Sequence, residues 1–218
     1  MGPFFSRFAR LLFFFAAIAV VYLPGLSGVF ILDDIPVFSH INSIQNFNDF
    51  VEYIVSGQAG PIGRPLSMAS FAANFLVAGE VSPIAFKSVN LFLHLLTGGA
   101  IYLLCCELFR LFEGRPSNNW ALLITVLWLF SSIHTSTVYY AVQRMTILAS
   151  LFSVLAIWTY IKCRQTMLKG KAGSAYFIAS VLLVFLAAVS KENGVLVLGL
   201  FFILELVVFG FKKQANSI

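Results

Sequence analysis

The sequence predicts an all-α integral membrane protein with about six transmembrane helices and a long first outer loop that carries interfacial helices. Three observations predict it. The chain has 218 residues, of which 60% are hydrophobic and only 11% charged, whereas a soluble domain carries roughly 25% charged residues. Its mean hydropathy is +0.92. Its apolar residues gather into runs near the length that a helix needs to cross a bilayer, about 20 residues. Too little charge is present to cover a globular surface of this size, which excludes a soluble enzyme and a disordered chain. The net charge is +5, but the cations are scattered and form no basic stripe, so no nucleic-acid partner is expected.

The runs fall near residues 11–32, 83–109, 120–133, 145–161, 175–189 and 194–211, within a single transmembrane domain over 1–218. The first follows Arg7 and Arg10 like a signal peptide. It stays apolar through Val29, Phe30, Ile31 and Leu32, so it reads as an uncleaved anchor. Runs three and five are short, and their helices are expected to extend into flanking polar residues. A further apolar stretch, Pro65 to Ala78, is too short to span and reads as interfacial or re-entrant.

Orientation follows from the cations. With a cytoplasmic N-terminus, the inner segments hold Arg7, Arg10, Arg110, Arg115, Lys162, Arg164, Lys169, Lys171, Lys212 and Lys213. The outer segments hold Arg64, Lys87, Arg144 and Lys191. Both termini are then cytoplasmic and residues 33–82 lie outside, on the periplasmic face if the membrane is a bacterial inner membrane. Cys105 and Cys106 are adjacent and Cys163 is alone, which gives no disulfide framework.

Polar residues at the outer ends are the candidates for chemistry. Asp33-Asp34 directly follows an apolar run. The pair reads either as a boundary marker or as a general base at the membrane surface, since adjacent like charges push one pKa up. Arg64, in the turn Gly60-Pro61-Ile62-Gly63-Arg64-Pro65-Leu66, either snorkels to a headgroup or supplies a cation for a phosphate. Asn90 and His94 lie four residues apart on one helix face, where interhelical hydrogen bonding is the plain reading. With His40, His94 and His134 as the three histidines and no ligand motif, no zinc site is expected. The Ser131 to Met145 turn is polar and aromatic and contains Arg144. Ser190-Lys191-Glu192-Asn193-Gly194 carries a Lys-Glu pair. Arg64, Arg144 and Lys191 thus gather on the face that holds Asp33 and Asp34. A base plus cations suits transfer from a phosphate-linked lipid to a hydroxyl.

Asp33-Asp34, Arg64-Pro65-Leu66, Val89 to Leu96, Tyr140 to Thr146 and Ser190 to Gly194 stand in an order that resembles the GT-C membrane glycosyltransferases. The nearest likeness is to the N-terminal half of the transmembrane and tetratricopeptide-repeat O-mannosyltransferases and their bacterial relatives. That resemblance implies helices lying flat in the first outer loop, where Phe47 to Ser56 and Leu66 to Ala78 fit. It implies a polyprenyl-phosphate sugar donor, an inverting mechanism and a catalytic base at Asp33 or Asp34, with a slight preference for Asp34. Arg64, Arg144 and Lys191 would hold the donor phosphate, supported by Asn90, His94 and Glu192. No cofactor is fixed by the resemblance, and the need for a divalent metal stays open. The sequence departs from the family at the turn after the third run, where Ser131-Ser132 stands in place of His-Pro and His134 is displaced. Relatives have ten or more spans, and here no 34-residue repeat follows. The chain is therefore expected to be part of such an enzyme, a half completed by a second membrane subunit, or a non-catalytic scaffold or lipid-binding descendant.

Overall fold

The structure, a computed structural model, describes residues 3–57 and 63–212. Lys213, the Gly60-Pro61-Ile62 part of the turn and the side chain of Arg7 lie outside what it describes. Among the described residues there is no strand. The helices are α1 (Pro3–Tyr22), α2 (Asp34–Phe38), α3 (Phe47–Val55), α4 (Pro65–Ala78), α5 (Pro83–Glu113), α6 (Asn118–Leu129), α7 (Thr135–Tyr139), α8 (Arg144–Leu168), α9 (Ser174–Ser190) and α10 (Val197–Leu204).

Local chemistry sets these boundaries. The first apolar run is expected to be helical to about residue 32, but α1 stops at Tyr22. Leu23-Pro24-Gly25 forms one tight turn, because Pro24 has no N–H for the helix ladder. The chain beyond it is irregular until Leu32, which sits in the left-handed region at φ 47°. In α3, the Asn46 side chain accepts from the amides of Asn48 (2.8 Å) and Asp49 (3.1 Å), and the Asp49 carboxylate accepts from the Asn46 amide (3.2 Å). This is a capping box, which satisfies donors that the helix start leaves free. α4 has Pro65 in its first turn and ends at Gly79, φ 74°, the conformation in which glycine meets no Cβ penalty.

Among the described residues, three stretches are long and apolar enough to cross a membrane: Pro83–Glu113, Ala141–Leu168 and Glu192–Phe209. A fourth arises if Asn118–Leu129 and Ser132–Tyr139, which meet at a 49° bend, form one crossing. That bend replaces the straight third run expected over 120–133. Ala9–Gly25 and Ser174–Ser190 are apolar but shorter.

α8 sits at the centre, packed against α5, α9 and α10, and α5 also packs on α6. One core cluster joins Phe38, Ile41 and Tyr53 of the first connection to Phe71 of α4, Phe86 of α5 and Met145 of α8. A second joins Ile18 and Tyr22 of α1 to Leu91, Leu129 and Val138. Large apolar side chains such as Phe177, Leu182, Phe185, Phe202 and Val207 face outward, as a lipid-facing surface requires.

Glu205, an acid set inside an apolar run, opens a π-helical turn over Glu205–Phe209. It accepts from Tyr160 Oη (2.6 Å) and pairs with the Arg164 guanidinium, whose Nη2 is 3.1 Å from Oε2. Glu107 pairs with Arg110 (2.7 Å) and Lys162 (2.6 Å).

Candidate functional site

A cavity of about 950 Å³ opens where the first connection meets the start of α8 and the turn between α9 and α10. Its lining includes Asp33, His40, Glu52, Tyr53, Arg64, Gln143, Met145 and Lys191. The structure thus brings three of the sequence candidates, Asp33, Arg64 and Lys191, onto one cavity, from two separate connections.

The two adjacent carboxylates are divided by burial. Asp34 has no solvent exposure. Its Oδ1 accepts from the Val142 amide (2.7 Å) and its Oδ2 from the Ile31 amide (3.2 Å). Burial raises its pKa above the usual carboxylate value, opposed by those amides and by the charge of Lys87. Asp34 is thereby a clasp between the first connection and the turn before α8, with both oxygens spent. Asp33 is exposed and lines the cavity. Its amide donates to Tyr140 Oη (2.9 Å). Of the pair, Asp33 is therefore the carboxylate open to the cavity, whereas the slight sequence preference for the base falls on Asp34.

The cations divide in the same way. Arg144 is fully buried, and no carboxylate pairs with it among the described residues. Its Nε donates to Asn90 Oδ1 (2.9 Å), Nη1 to the Ser70 carbonyl (2.9 Å), and Nη2 to Asn74 Oδ1 (2.7 Å) and the Phe86 carbonyl (2.9 Å). Its guanidinium carbon lies 4.8 Å from the Phe71 ring centroid and 5.4 Å from that of Phe86. The phosphate role expected of Arg144 does not fit this placement, because its donors are consumed by neutral groups of α4 and α5. Asn90 Nδ2 donates to the carbonyls of Tyr140 (3.3 Å) and Ala141 (3.1 Å). His94 is buried, 3.4 Å from the Leu129 carbonyl, with its ring 4.9 Å from Trp128. Neither Asn90 nor His94 lines the cavity. They fix the α5–α6 and α5–α8 contacts instead. Lys87 is also buried and donates to the carbonyls of Gly28 (2.7 Å) and Val29 (3.0 Å).

Arg64 and Lys191 remain at the cavity. Arg64 has a left-handed backbone, φ 53° and ψ 55°, which costs a non-glycine residue on the order of 1–2 kcal/mol. Its Nε lies 3.2 and 3.1 Å from the two Glu192 oxygens, and its Nη2 lies 3.0 Å from Oε2. Lys191 Nζ donates to Thr146 Oγ1 (2.9 Å), which donates to Gln143 Oε1 (2.6 Å). Burial and then the neighbouring Arg64 charge lower the pKa of Lys191, and Glu192 opposes that shift. Gly194 lets this turn close. A Cβ there would lie 2.3 Å from the Ala187 carbonyl carbon.

Sequence reasoning missed Tyr140, Gln143 and Thr146 as supports of Asp33 and Lys191. The polarity of the turn before α8 was the available signal. It also missed Glu52 and Tyr53, which the capping box at Asn46 places on a helix beside the cavity. No cluster of three metal-ligating side chains occurs among the described residues.

These features define a helical membrane protein with a cavity of mixed charge at one end of its bundle. Within that class, the chain is similar to the protein O-mannosyl-transferases, GT-C-type membrane glycosyltransferases. It is 29% identical to protein O-mannosyl-transferase TMTC4 of Mus musculus over 161 residues, 67% of this chain and 21% of that protein. It is 34% identical to TMTC3 of Mus musculus over 148 residues, 66% of this chain and 15% of that protein. It is 28% identical to tmtc2 of Xenopus laevis over 173 residues, 79% of this chain and 20% of that protein. The chain thus spans about a fifth of the length of the curated relatives it matches. No family model matches it. No solved structure matches it either.

Proposed function

We propose that this chain is the donor-handling part of a glycosyltransferase that moves a sugar from a polyprenyl-phosphate carrier to an acceptor hydroxyl at the outer membrane surface. The cavity carries this reading, because it sets the exposed carboxylate of Asp33 against the cations Arg64 and Lys191. Asp33 takes the proton of the acceptor hydroxyl as that oxygen forms a bond to the anomeric carbon. The bond from that carbon to the carrier phosphate breaks, and the configuration inverts. Arg64 and Lys191 hold the negative charge that develops on the departing phosphate, which lowers the barrier. Asp34, Arg144, Asn90 and Lys87 hold the two connections that present these groups.

Similarity to O-mannosyl-transferases supports a mannosyl donor and a protein acceptor. The six apolar runs and the ten-to-four cation bias support six crossings with both termini cytoplasmic. Sugar transfer from a polyprenyl-phosphate donor, measured in membranes that contain the chain and any co-expressed membrane partner, tests the activity. Asp33→Asn abolishes transfer in this reading, and Arg64→Ala weakens use of the donor. Transfer that survives Asp33→Asn unchanged overturns the assignment. Absence of transfer with every donor and partner leaves the lipid-binding scaffold. An Asn42→Cys protein labelled only from the cytoplasm would refute the orientation.

A further inference from the structure

Arg64 and Glu192 are far apart in sequence, yet they meet at the cavity wall. We propose that Glu192 is the positioning residue for Arg64, holding one edge of the guanidinium so that its other edge receives the phosphate of a polyprenyl-phosphate ligand. The proposal rests on the donor reading above and assigns the way in which the anion is seated.

The geometry supports it in three steps. A guanidinium has five N–H donors in a rigid planar fork. Glu192 takes Nε and one N–H of Nη2, and the Met145 sulfur takes one N–H of Nη1 at 3.3 Å. One N–H on each terminal nitrogen is left without an acceptor among the described residues. These two N–H donors, which Glu192 does not take, can meet oxygens of a phosphate. The partners also differ in exposure. The Arg64 and Glu192 side chains are 22% and 28% exposed, so the pair stands at the cavity wall and is reachable from it.

The backbone needs such a tether. Gly63 (φ 71°) and Arg64 (φ 53°) are consecutive left-handed residues. A non-glycine residue keeps that conformation only where its surroundings over-determine it. Pro65 fixes the next residue as the start of α4, and the Glu192 carboxylate fixes the side chain. Lys191, adjacent to Glu192, has an extended backbone (φ −159°, ψ 142°). The two side chains therefore diverge, Lys191 to Thr146 and Glu192 to Arg64. One turn thus supplies one cation and orients the other.

Positioning and simple electrostatics predict opposite signs. Glu192 is an anion beside an anion site, so by charge alone Glu192→Gln would tighten phosphate binding. As a positioning residue its loss weakens binding, because Gln offers one acceptor oxygen to a fork that the carboxylate grips with two. The test measures binding of undecaprenyl monophosphate to the full chain in nanodiscs, with the melting temperature recorded for each variant. Glu192→Gln should weaken binding by about tenfold, the loss of one charge-assisted hydrogen bond, with melting unchanged. In an Arg64→Lys background, where no fork exists to be oriented, Glu192→Gln should have no further effect. Tighter or unchanged binding in E192Q overturns the proposal while leaving the donor reading intact. So does an equal loss in the Arg64→Lys background, which would show that Glu192 does not act through Arg64. A wild-type chain that binds no undecaprenyl monophosphate overturns the donor reading itself, and the proposal with it.

Discussion

Replacing Arg144 by lysine separates a core clamp from a phosphate ligand. Arg144 spreads four donor contacts over Asn90, Ser70, Asn74 and Phe86, tying α8 to two elements, α4 and α5. A lysine ammonium keeps the charge, so the cost of holding an ion away from water remains. It concentrates its donors on one nitrogen and cannot reach acceptors placed around a planar fork. At least two of the four acceptors then lose a hydrogen bond to a charged group, each worth about 1.5–3 kcal/mol. Stacking on Phe71 and Phe86 is lost as well. Partial re-bonding of the ammonium offsets some of this, for a net destabilisation of about 3–5 kcal/mol. For a domain of this size that lowers the melting temperature by roughly 10 °C. Thermal unfolding in detergent, followed by near-ultraviolet circular dichroism, measures it. An R144K protein that melts with the wild type but no longer binds undecaprenyl monophosphate would refute this reasoning. It would return Arg144 to the phosphate-binding role that its place in the sequence suggests.

Asp33→Asn should reduce transfer about 10²-fold to 10⁴-fold without shifting the melting temperature. Asp34→Ala should instead lower the melting temperature, because it strands the Val142 and Ile31 amides. Assay and melt on both variants decide it, and the reverse pattern would restore Asp34 as base. Gly194→Ala should weaken phosphate binding by displacing Glu192, since the new methyl would lie 2.3 Å from the Ala187 carbonyl carbon. Unchanged binding would show that the turn tolerates the shift. Lys191 loses its proton below the ordinary lysine value of 10.5, so phosphate affinity should fall as pH rises through that depressed value. Between it and 10.5 the unfolded chain holds the extra proton, so stability rises with pH over the same window. Lys191→Arg should carry phosphate affinity to higher pH, and titrations of both proteins check the sign.

The helices and the polar blocks were legible because each is a local pattern. An apolar run and a Pro at a helix start act within a few residues, as does the Asn46-x-x-Asp49 box, which the sequence reading did not use. The division of labour inside the blocks was not. Asp33 and Asp34 are chemically equal neighbours, and only the Val142 amide, brought in by the turn before α8, decides which one is buried. Arg64 and Arg144 likewise differ in their acceptors, the Glu192 carboxylate for Arg64 and neutral groups of α4 and α5 for Arg144. The early end of α1 was readable at Pro24, but the apolar character of Val29 to Leu32 hid it. Those residues stay apolar while the backbone turns toward Asp33.

The tie between Glu205 and Arg164 bears on how the chain enters a membrane. Arg164 stands near the end of α8, beyond its apolar run, and Glu205 directly follows α10, and a single charge at the centre of a crossing opposes insertion by about 2.5–3.5 kcal/mol. Together, with Tyr160 adding a hydrogen bond, they present a neutralised group to the lipid. The fold thus brings the end of α8 and the turn after α10 together as one neutral unit, so neither charge is set alone in apolar surroundings.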